Sequence, residues 1–247
     1  MSIRISVIQF IIDINEKIFF YPKLQSFYKN VAYPTSLTTP PPLKNHLTIF
    51  DVGANKGQSI DFFCKIFKNP TIYAFEPNPT LYKKLKEKYS IKKNIFIYNL
   101  GVSDINGQLE LSETVTDETS TFEKLNYESN YLQMKANILG VKKEDIIKRK
   151  YFVDVIRLDD FINKMEIDKI HILKIDTEGH ELKCLKGLFT NFASEIKYIQ
   201  LESHNDDMYL KNATKDEIPD LLNINGYNKC TKIKHGFGDF NECIYEK

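Results

Sequence analysis

The feature that most constrains the fold of this chain is an apolar segment that ends in an acidic residue and two glycines. Residues 47–50 form an apolar run, Asp51 follows, Gly53 and Gly57 frame a short turn, and residues 60–67 show amphipathic spacing. This order predicts a strand, a tight loop and a helix. Because glycine adopts backbone angles closed to other residues, such a loop can bring its amides close to a bound ligand.

A second apolar segment, residues 72–75, ends at Glu76 and places a carboxylate at the carboxyl end of the next strand. A carboxylate at this point can accept hydrogen bonds from both hydroxyl groups of a ribose. The two segments together therefore predict a nucleoside-bearing cofactor, although each segment alone also fits a purely structural strand, turn and helix.

The spacing of the two glycines favours one cofactor over another. Dinucleotide-binding folds use G-x-G-x-x-G, which seats a pyrophosphate on a helix N-terminus. This chain has G-x-x-x-G shortly after Asp51. An acidic residue in that turn would repel a pyrophosphate but suits the positive sulfonium of S-adenosylmethionine, so the loop predicts S-adenosylmethionine rather than NAD.

Apolar and amphipathic segments alternate along the rest of the chain. Strands are predicted at residues 95–98, 152–158, 170–175 and 196–201, helices at 79–89, 159–165, 181–189 and 217–222, and a closing hairpin at 227–234 and 242–245. This alternation predicts an α/β fold with an open, mostly parallel, Rossmann-like sheet, to which the terminal hairpin adds one antiparallel strand. Asn106-Gly107 predicts a small antiparallel excursion near the sheet edge.

We expect an N-terminal helical appendage with a Pro-rich linker, residues 1–45, followed by a cofactor-binding domain, residues 46–247. The appendage could cover the active site, mediate a homodimer or dock on a partner. Residues 112–150 are polar and lack a strand pattern, so we expect an insertion that is either a lid or disordered. The apolar residues 7–12 are too few to span a membrane, which favours a cytoplasmic protein without a signal peptide.

The composition argues against several classes of partner. With 34 basic and 33 acidic residues the formal net charge is +1, which gives no general reason to expect a nucleic acid or an anionic membrane. Cys64, Cys184, Cys230 and Cys243 lack C-x-x-C spacing, so neither a zinc site nor a disulfide framework is indicated. We expect reduced cysteines, although Cys230 and Cys243 could face each other on the terminal hairpin.

Four motifs together resemble the FkbM family of S-adenosylmethionine-dependent methyltransferases. They are Asp51-Val52-Gly53-Ala54-Asn55, Phe75-Glu76-Pro77-Asn78, Val102-Ser103-Asp104 and Lys174-Ile175-Asp176-Thr177-Glu178-Gly179-His180-Glu181. The resemblance covers roughly residues 47–205, and the last motif is its most specific part. It implies a class I methyltransferase fold and an O-methyltransferase that acts on hydroxyl groups, commonly those of sugars or secondary metabolites.

The resemblance also implies roles for individual residues. The methionine part of the cofactor would be surrounded by Asp51, Gly53, Ala54, Asn55 and Gly57, the ribose held by Glu76 and Pro77, and the adenine flanked by Asn99, Gly101 and Val102. Ser120-Thr121-Phe122 is similar to a hydroxyl-rich element of the family and would lie near the cofactor or the acceptor. The acceptor is implied only as a small molecule or a glycan.

A hydroxyl group is a poor nucleophile until it loses its proton, so we expect a base near the transferred methyl group. The candidates at strand ends are Asp176, Glu178 and His204, of which His204 is the best proton acceptor near neutral pH. Asp176 and Glu178 could instead bind the acceptor or hold a magnesium ion that acidifies it. The structural alternatives are a surface position for His204 and an N-cap role for Asp176.

Ligands of open parallel sheets bind at the carboxyl ends of the strands, so we expect Asp51, Glu76, Asn99, Asp176 and Glu202 along one rim. Two other functions would use such a rim. An NAD-dependent oxidoreductase also requires an acidic residue after its second strand, but its glycine pattern is missing here. A noncatalytic module that binds a glycan or a protein would need the same residues as an enzyme.

Overall fold

Strands drawn from most of the chain form the centre of the protein. The structure is a computed structural model that describes residues 14–32, 47–116, 120–192, 194–203, 207–210, 216–235 and 241–247. Its strands are β1 (Thr48–Val52), β2 (Thr71–Phe75), β3 (Ile95–Tyr98), β4 (Gly101–Val102), β5 (Gly107–Thr114), β6 (Ile147–Ile156), β7 (Lys169–Ile175), β8 (Glu195–Ser203), β9 (Lys229–Lys234) and β10 (Asn241–Glu246).

Seven of these strands form the main sheet, in the order β3-β2-β1-β7-β8-β10-β9. Neighbouring strands from β3 to β8 are parallel, whereas β10 is antiparallel to both β8 and β9. The predicted mostly parallel sheet with one antiparallel strand is therefore confirmed. Val52 at the end of β1 pairs with Phe75 on one side and Ile175 on the other, so the residues that follow these three strands lie at the same edge.

Helices pack against the sheet, and capping residues mark where some of them begin or end. They are α1 (Tyr21–Ser26), α2 (Gln58–Ile66), α3 (Pro79–Lys88), α4 (Asn130–Leu139), α5 (Leu158–Lys164), α6 (Glu181–Leu188) and α7 (Glu217–Ile224). The Asn78 side chain caps α3 by accepting hydrogen bonds from the backbone N–H groups of Thr80 and Leu81, and Gly140 ends α4 in the left-handed conformation. Within the described ranges, no helix has the length and apolar character needed to cross a membrane.

Both faces of the main sheet are buried. Along β1, Ile49 packs in one apolar cluster together with Ile60 of α2, whereas the next residue, Phe50, packs in a second cluster with Phe161 of α5. Successive side chains of a strand point to opposite faces, so a strand covered on both sides is apolar at most positions. This explains why β1 and β7 are largely apolar on both faces, although Asp51 in β1 and His171 and Lys174 in β7 are buried polar exceptions.

The N-terminal segment of residues 14–32 belongs to the core. Helix α1 is flanked by π-helical turns at Glu16–Phe20 and Phe27–Ala32. Phe20, Leu24 and Tyr28 are buried in the same apolar cluster as β1, and the Tyr28 hydroxyl donates a hydrogen bond to Gln200 on β8. Residues 14–32 of the expected helical appendage are helical, while the predicted Pro-rich linker lies outside the described residues.

A separate three-stranded sheet has the order β4-β6-β5. Its strands β5 and β6 are antiparallel, with Gly107 opposite Val155. The sequence-based placement of residues 152–158 in the main sheet was wrong. These residues belong largely to β6, whose backbone hydrogen bonds are made with β5 and β4 in the separate sheet. In the sequence, α4 comes between β5 and β6, so much of the polar stretch of residues 112–150 is regular structure.

We expect the N-terminal segment to contribute to global stability. Leu24→Ala removes a side chain that is 2% exposed and should lower the free energy of unfolding by about 2–4 kcal/mol. Ile18→Ala in the same segment removes a side chain that is 57% exposed and should change it by less than about 0.5 kcal/mol. Urea denaturation followed by circular dichroism measures both values, and equal effects of the two substitutions would contradict the packing described above.

Candidate active site

A cavity of about 450 Å³ opens at the carboxyl edge of the main sheet. The loops after β1 and β2, the ends of β7, β8 and β10, the N-terminal segment and α4 supply its walls. The sequence-predicted site residues that line it are Gly53, Ala54, Asn55, Glu76, Pro77, Gly101, Val102, Asp176 and Glu178. Glu202, expected on the same rim, lines it as well.

The glycine loop after β1 is held against two neighbouring strands. The backbone N–H groups of Gly53 and Ala54 both donate to the Phe75 carbonyl at the end of β2, at 3.0 and 3.1 Å. Gly53 has a φ of +81°, and a Cβ atom added there would lie 1.9 Å from the Asp176 carbonyl oxygen. Only glycine fits between β1 and β7 at this point, which brings the backbone of the loop to the cavity wall.

Glu76 joins the loops that follow β1 and β2. One carboxylate oxygen accepts from the backbone N–H of Asn55 and the other from that of Asn78, both at 2.8 Å. Burial raises the pKa of Glu76 to about 7, although these two hydrogen bonds oppose the shift. The Asn99 side chain donates to the carbonyl oxygens of Glu76 and Pro77, so it positions this loop from outside the cavity lining.

A cluster of three charged groups, of which Asp51 and Lys174 are buried, lies between the ends of β1 and β7. The Lys174 ammonium group is 3.1 Å from a carboxylate oxygen of Asp176 and 3.6 Å from one of Asp51, whose second oxygen accepts a hydrogen bond from Ser59. Burial by itself would lower the pKa of Lys174, but the two carboxylates outweigh it and raise that pKa. Burial likewise raises the pKa of Asp51 against the opposing charge of Lys174.

Glu178 lies in a strained turn that other elements clamp. Its φ is +54°, its carbonyl oxygen accepts a hydrogen bond from the Thr121 hydroxyl at 2.7 Å, and its carboxylate accepts one from the Tyr209 hydroxyl at 3.0 Å. A single carboxylate oxygen of Glu181 accepts hydrogen bonds from the backbone N–H groups of residues 177 and 179. These contacts place Asp176 and Glu178 on the cavity wall rather than at an N-cap, since α6 has His180 in that position.

The hydroxyl-rich element of residues 120–122 lies beside β4 at the wall of the cavity. Thr121 pairs with Ser112 of β5 through two backbone hydrogen bonds, at 2.9 and 3.0 Å. The ring of Phe122 packs so closely on Gly101 that a Cβ atom there would lie 2.6 Å from it. Ser120 and Phe122 both line the cavity, so this part of the polar insertion contributes to its wall.

The histidine selected from the sequence, His204, lies outside the described residues. Another histidine, His235, lines the cavity, and its Nε2 atom is 3.3 Å from a carboxylate oxygen of Glu242. The sequence analysis did not single out His235. Its partner Glu242 is the second residue of β10 and precedes three apolar residues. His180 packs internally between Glu123 and Ser103.

Two further walls close the cavity. Phe20 and Tyr21 of the N-terminal segment line it on the side of β8 and β10, and Met134 and Ile138 of α4 line it on the side of residues 120–122. Met134 and Ile138 are 49% and 46% exposed, so α4 presents apolar groups to the opening. This stretch was expected to be either a lid or disordered; α4 is a regular helix that contributes to the cavity lining.

The expected magnesium site receives no support. Across the described ranges, no group of three or more His, Cys, Asp or Glu side chains is arranged to hold a metal ion. The carboxylates of Asp51 and Asp176 already flank the Lys174 ammonium group, so the positive charge between them is that of a lysine.

Comparison with known proteins agrees with this geometry. Residues 51–229 match the model of the methyltransferase FkbM domain, a range that contains the glycine loop, Glu76 and Asp176. The order and directions of the main-sheet strands are those of class I S-adenosylmethionine-dependent methyltransferases, so the predicted fold class is confirmed.

The similar proteins are distant in sequence. The hexuronic acid methyltransferase AglP of Haloferax volcanii is 25% identical over 157 residues, which cover 63% of this chain and 55% of that protein. The 2-O-methyltransferase NoeI of Sinorhizobium fredii is 21% identical over 211 residues, covering 81% of this chain and 83% of that one. A solved methyltransferase from Aquifex aeolicus has a TM-score of 0.45 and 14% identity, covering 98% of this chain and 97% of that one.

The close approach at Gly53 predicts a large effect of adding one methyl group. Gly53→Ala should destabilise the protein by about 3 kcal/mol or more, because alanine is strained at this φ and its Cβ atom meets the Asp176 carbonyl. Gly107→Ala is the matched control, since Gly107 also has a positive φ but nothing lies within 4 Å of the added atom. Thermal unfolding should show a loss of about 1 kcal/mol for the control, and equal losses would contradict the close approach.

The raised pKa of Glu76 predicts that stability changes with pH. Its pKa is about 7 in the folded protein against 4.5 for an unperturbed carboxyl, so the folded state holds this proton more tightly. The unfolding free energy of the wild type should therefore fall, relative to Glu76→Gln, by up to about 3 kcal/mol as pH rises from 4.5 to 7. Urea denaturation across this range measures the difference, and Glu110→Gln, at an exposed site on β5, should show none.

Proposed function

Because this chain belongs to the FkbM methyltransferase family, we propose that it is an S-adenosylmethionine-dependent O-methyltransferase whose acceptor is a sugar hydroxyl group. The observation that carries the proposal is the position of Glu76: a buried carboxylate at the end of β2 that lines the cavity beside the glycine loop. A ribose is the part of the cofactor that such a carboxylate recognises.

The residues on the β1 and β2 side of the cavity fit this cofactor. Each Glu76 oxygen accepts one backbone hydrogen bond and retains a lone pair for a ribose hydroxyl group. Asn55 and the glycine loop would face the methionine part. Asp51 is fully buried outside the described cavity lining and paired with Lys174 and Ser59, so it would act only by holding the end of β1 in place. Gly101 and Val102 offer an apolar surface for the adenine, and Asn99 would act only by fixing the Glu76–Pro77 loop.

The acceptor would occupy the other side of the cavity, along β7, β8 and β10. Hydrogen-bonding groups line it there, namely Asp176, Glu178, Gln200, Glu202 and Glu242, and the aromatic rings of Phe20 and Tyr21 lie beside them. Carboxylates and amides bind sugar hydroxyl groups, and aromatic rings pack against the apolar faces of sugar rings. One relative is named for a hexuronic acid and another for methylation at a 2-oxygen, which supports a sugar.

Charge on this side favours a neutral sugar over an acidic one. Glu16, Glu202 and Glu242 line it. The described lining contains two lysines: Lys174, which is already paired with Asp51 and Asp176, and Lys135 on α4, whose ammonium group contacts the Met208 sulfur. An acceptor carboxylate would meet repulsion from the three glutamates. We therefore expect a neutral glycoside to bind better than a hexuronic acid, in contrast to the acceptor in the name of the archaeal relative.

The chain's own residues must position the acceptor and take up its proton. S-adenosylmethionine supplies a methyl carbon that is already activated by the positive sulfur. Methyl transfer is an in-line displacement, so the walls formed by the N-terminal segment and α4 would fix one hydroxyl group in line and exclude water. A side chain that accepts the hydroxyl proton is also needed.

Titration calorimetry tests the cofactor assignment. S-adenosylhomocysteine should bind the wild type, and Glu76→Ala should weaken it by more than about tenfold, because two hydrogen bonds to a charged group are lost. Glu110→Ala on β5 is the control and should bind normally. Binding of NADH alone would favour an oxidoreductase, and binding of neither compound would favour a noncatalytic module.

An acceptor screen tests the second half of the proposal. Neutral methyl glycosides and methyl glucuronide are incubated with isotopically labelled S-adenosylmethionine, and the products are analysed by NMR. We expect a methyl ether on a hydroxyl group of a neutral glycoside. A methyl ester on the uronate, or a methyl group on nitrogen, would contradict the proposed reaction.

A further inference from the structure

His235 has the surroundings of a working base rather than of a surface histidine. It directly follows β9, lines the cavity, and its ring stacks on Phe20 of the N-terminal segment with centroids 4.0 Å apart and planes 19° apart. Its Nε2 atom lies 3.3 Å from a Glu242 carboxylate oxygen. Among the described residues, no group hydrogen-bonds to Nδ1, so that nitrogen is available to a ligand in the cavity.

The partner of His235 is itself fixed. The other carboxylate oxygen of Glu242 accepts a hydrogen bond from the Gln200 amide, and Gln200 in turn accepts one from the buried Tyr28 hydroxyl. This chain of contacts, Tyr28–Gln200–Glu242–His235, joins the N-terminal segment, β8, β10 and the end of β9. A base whose second nitrogen is held by a carboxylate is oriented and confined to one tautomer.

The two carboxylates that the sequence offered as bases are already engaged. Asp176 is ion-paired to Lys174, and Glu178 accepts a hydrogen bond from Tyr209. Among the described residues that line the cavity, His235 is the single histidine.

We infer that His235, oriented by Glu242, is the group that removes the proton from the acceptor hydroxyl group during methyl transfer. The inference rests on the proposed function. His235 accepts the hydroxyl proton at Nδ1 while the hydroxyl oxygen bonds to the methyl carbon and the sulfur–methyl bond breaks, its electron pair remaining on sulfur. The resulting imidazolium is stabilised by Glu242 and later releases its proton to water.

The groups that face His235 set the pH at which it works. Burial lowers the pKa of His235, but the hydrogen bond and charge of Glu242 outweigh it, and Glu202 on β8 and Glu16 on the N-terminal segment add to the effect, so the pKa is raised above its usual 6.5. The base must be neutral to accept a proton. The rate of methyl transfer should therefore rise with pH through this raised pKa.

The position of His235 can be tested without knowing the acceptor. The imidazole signals are titrated by NMR in the complexes with S-adenosylhomocysteine, which is neutral at sulfur, and with sinefungin, which carries a cationic amine in place of the sulfonium. His235 is assigned by loss of its signals in His235→Gln. If His235 lies near the transfer point, its pKa should be about one unit lower with sinefungin. His171, on β7 outside the cavity lining, should not respond.

Each outcome has a distinct meaning. A pKa of His235 that is the same in both complexes, while both compounds bind, would overturn the inference and leave the proposed function standing. Failure of both compounds to bind would overturn the proposed function and this inference with it. A selective shift at His235 supports both.

Turnover with the acceptor found by screening gives the second readout. His235→Gln should reduce kcat by about 10²-fold or more at unchanged affinity for S-adenosylhomocysteine. Glu242→Gln should retain more activity and move the pH–rate profile to lower pH, because the carboxylate that raises the pKa of His235 is gone. Lys232→Gln, at an exposed position on β9, is the control for stability and should behave as wild type. An unmoved pH profile in Glu242→Gln would contradict the role of Glu242.

Discussion

The buried ion pairs of Lys174 are the interaction on which the site depends. Lys174 is 9% exposed and lies between Asp51 at β1 and Asp176 at β7, the two central strands of the main sheet. A buried ammonium group is tolerated only when it is paired, and removing one partner of such a set typically costs about 3–5 kcal/mol. The same contact also ties together the two strand ends from which the glycine loop and the Asp176–Glu178 turn begin.

This central lysine divides the cavity into two sides. The strand order changes direction beside β1, with β2 and β3 on one side and β7, β8 and β10 on the other, and a crevice forms where such a reversal occurs. Glu76 lies on the first side, and Gln200 and Glu242 on the second. Neighbouring strands are about 4.8 Å apart, so the ends of β1 and β8, which are two strand spacings apart, are separated by about 10 Å.

The parts of the site that could be predicted from the sequence are those set by local structure. Asp51, Glu76 and Asp176 each come at or directly after a strand end, and parallel strands bring their ends to one edge whatever the rest of the fold does. Pairing between β5 and β6 could not be predicted in this way, because the residues of a strand do not determine which other strand it pairs with. The pairing of His235 with Glu242 depends on the register of β9 and β10, which is equally non-local.

The N-terminal segment shows why such long-range contacts matter for chemistry. The appendage predicted from the sequence was assigned no definite role, yet Tyr28 starts the hydrogen-bond chain that ends at His235, and Phe20 stacks on that same ring. An apolar pattern indicates that a helix buries one face, but it does not indicate on which surface. Here that surface includes β8 and the imidazole, so residues 14–32 both complete the core and fix the group that would take the proton. The stability of the protein and the orientation of the His235 ring are consequently coupled, since displacing the N-terminal segment would remove the Phe20 ring that stacks on His235.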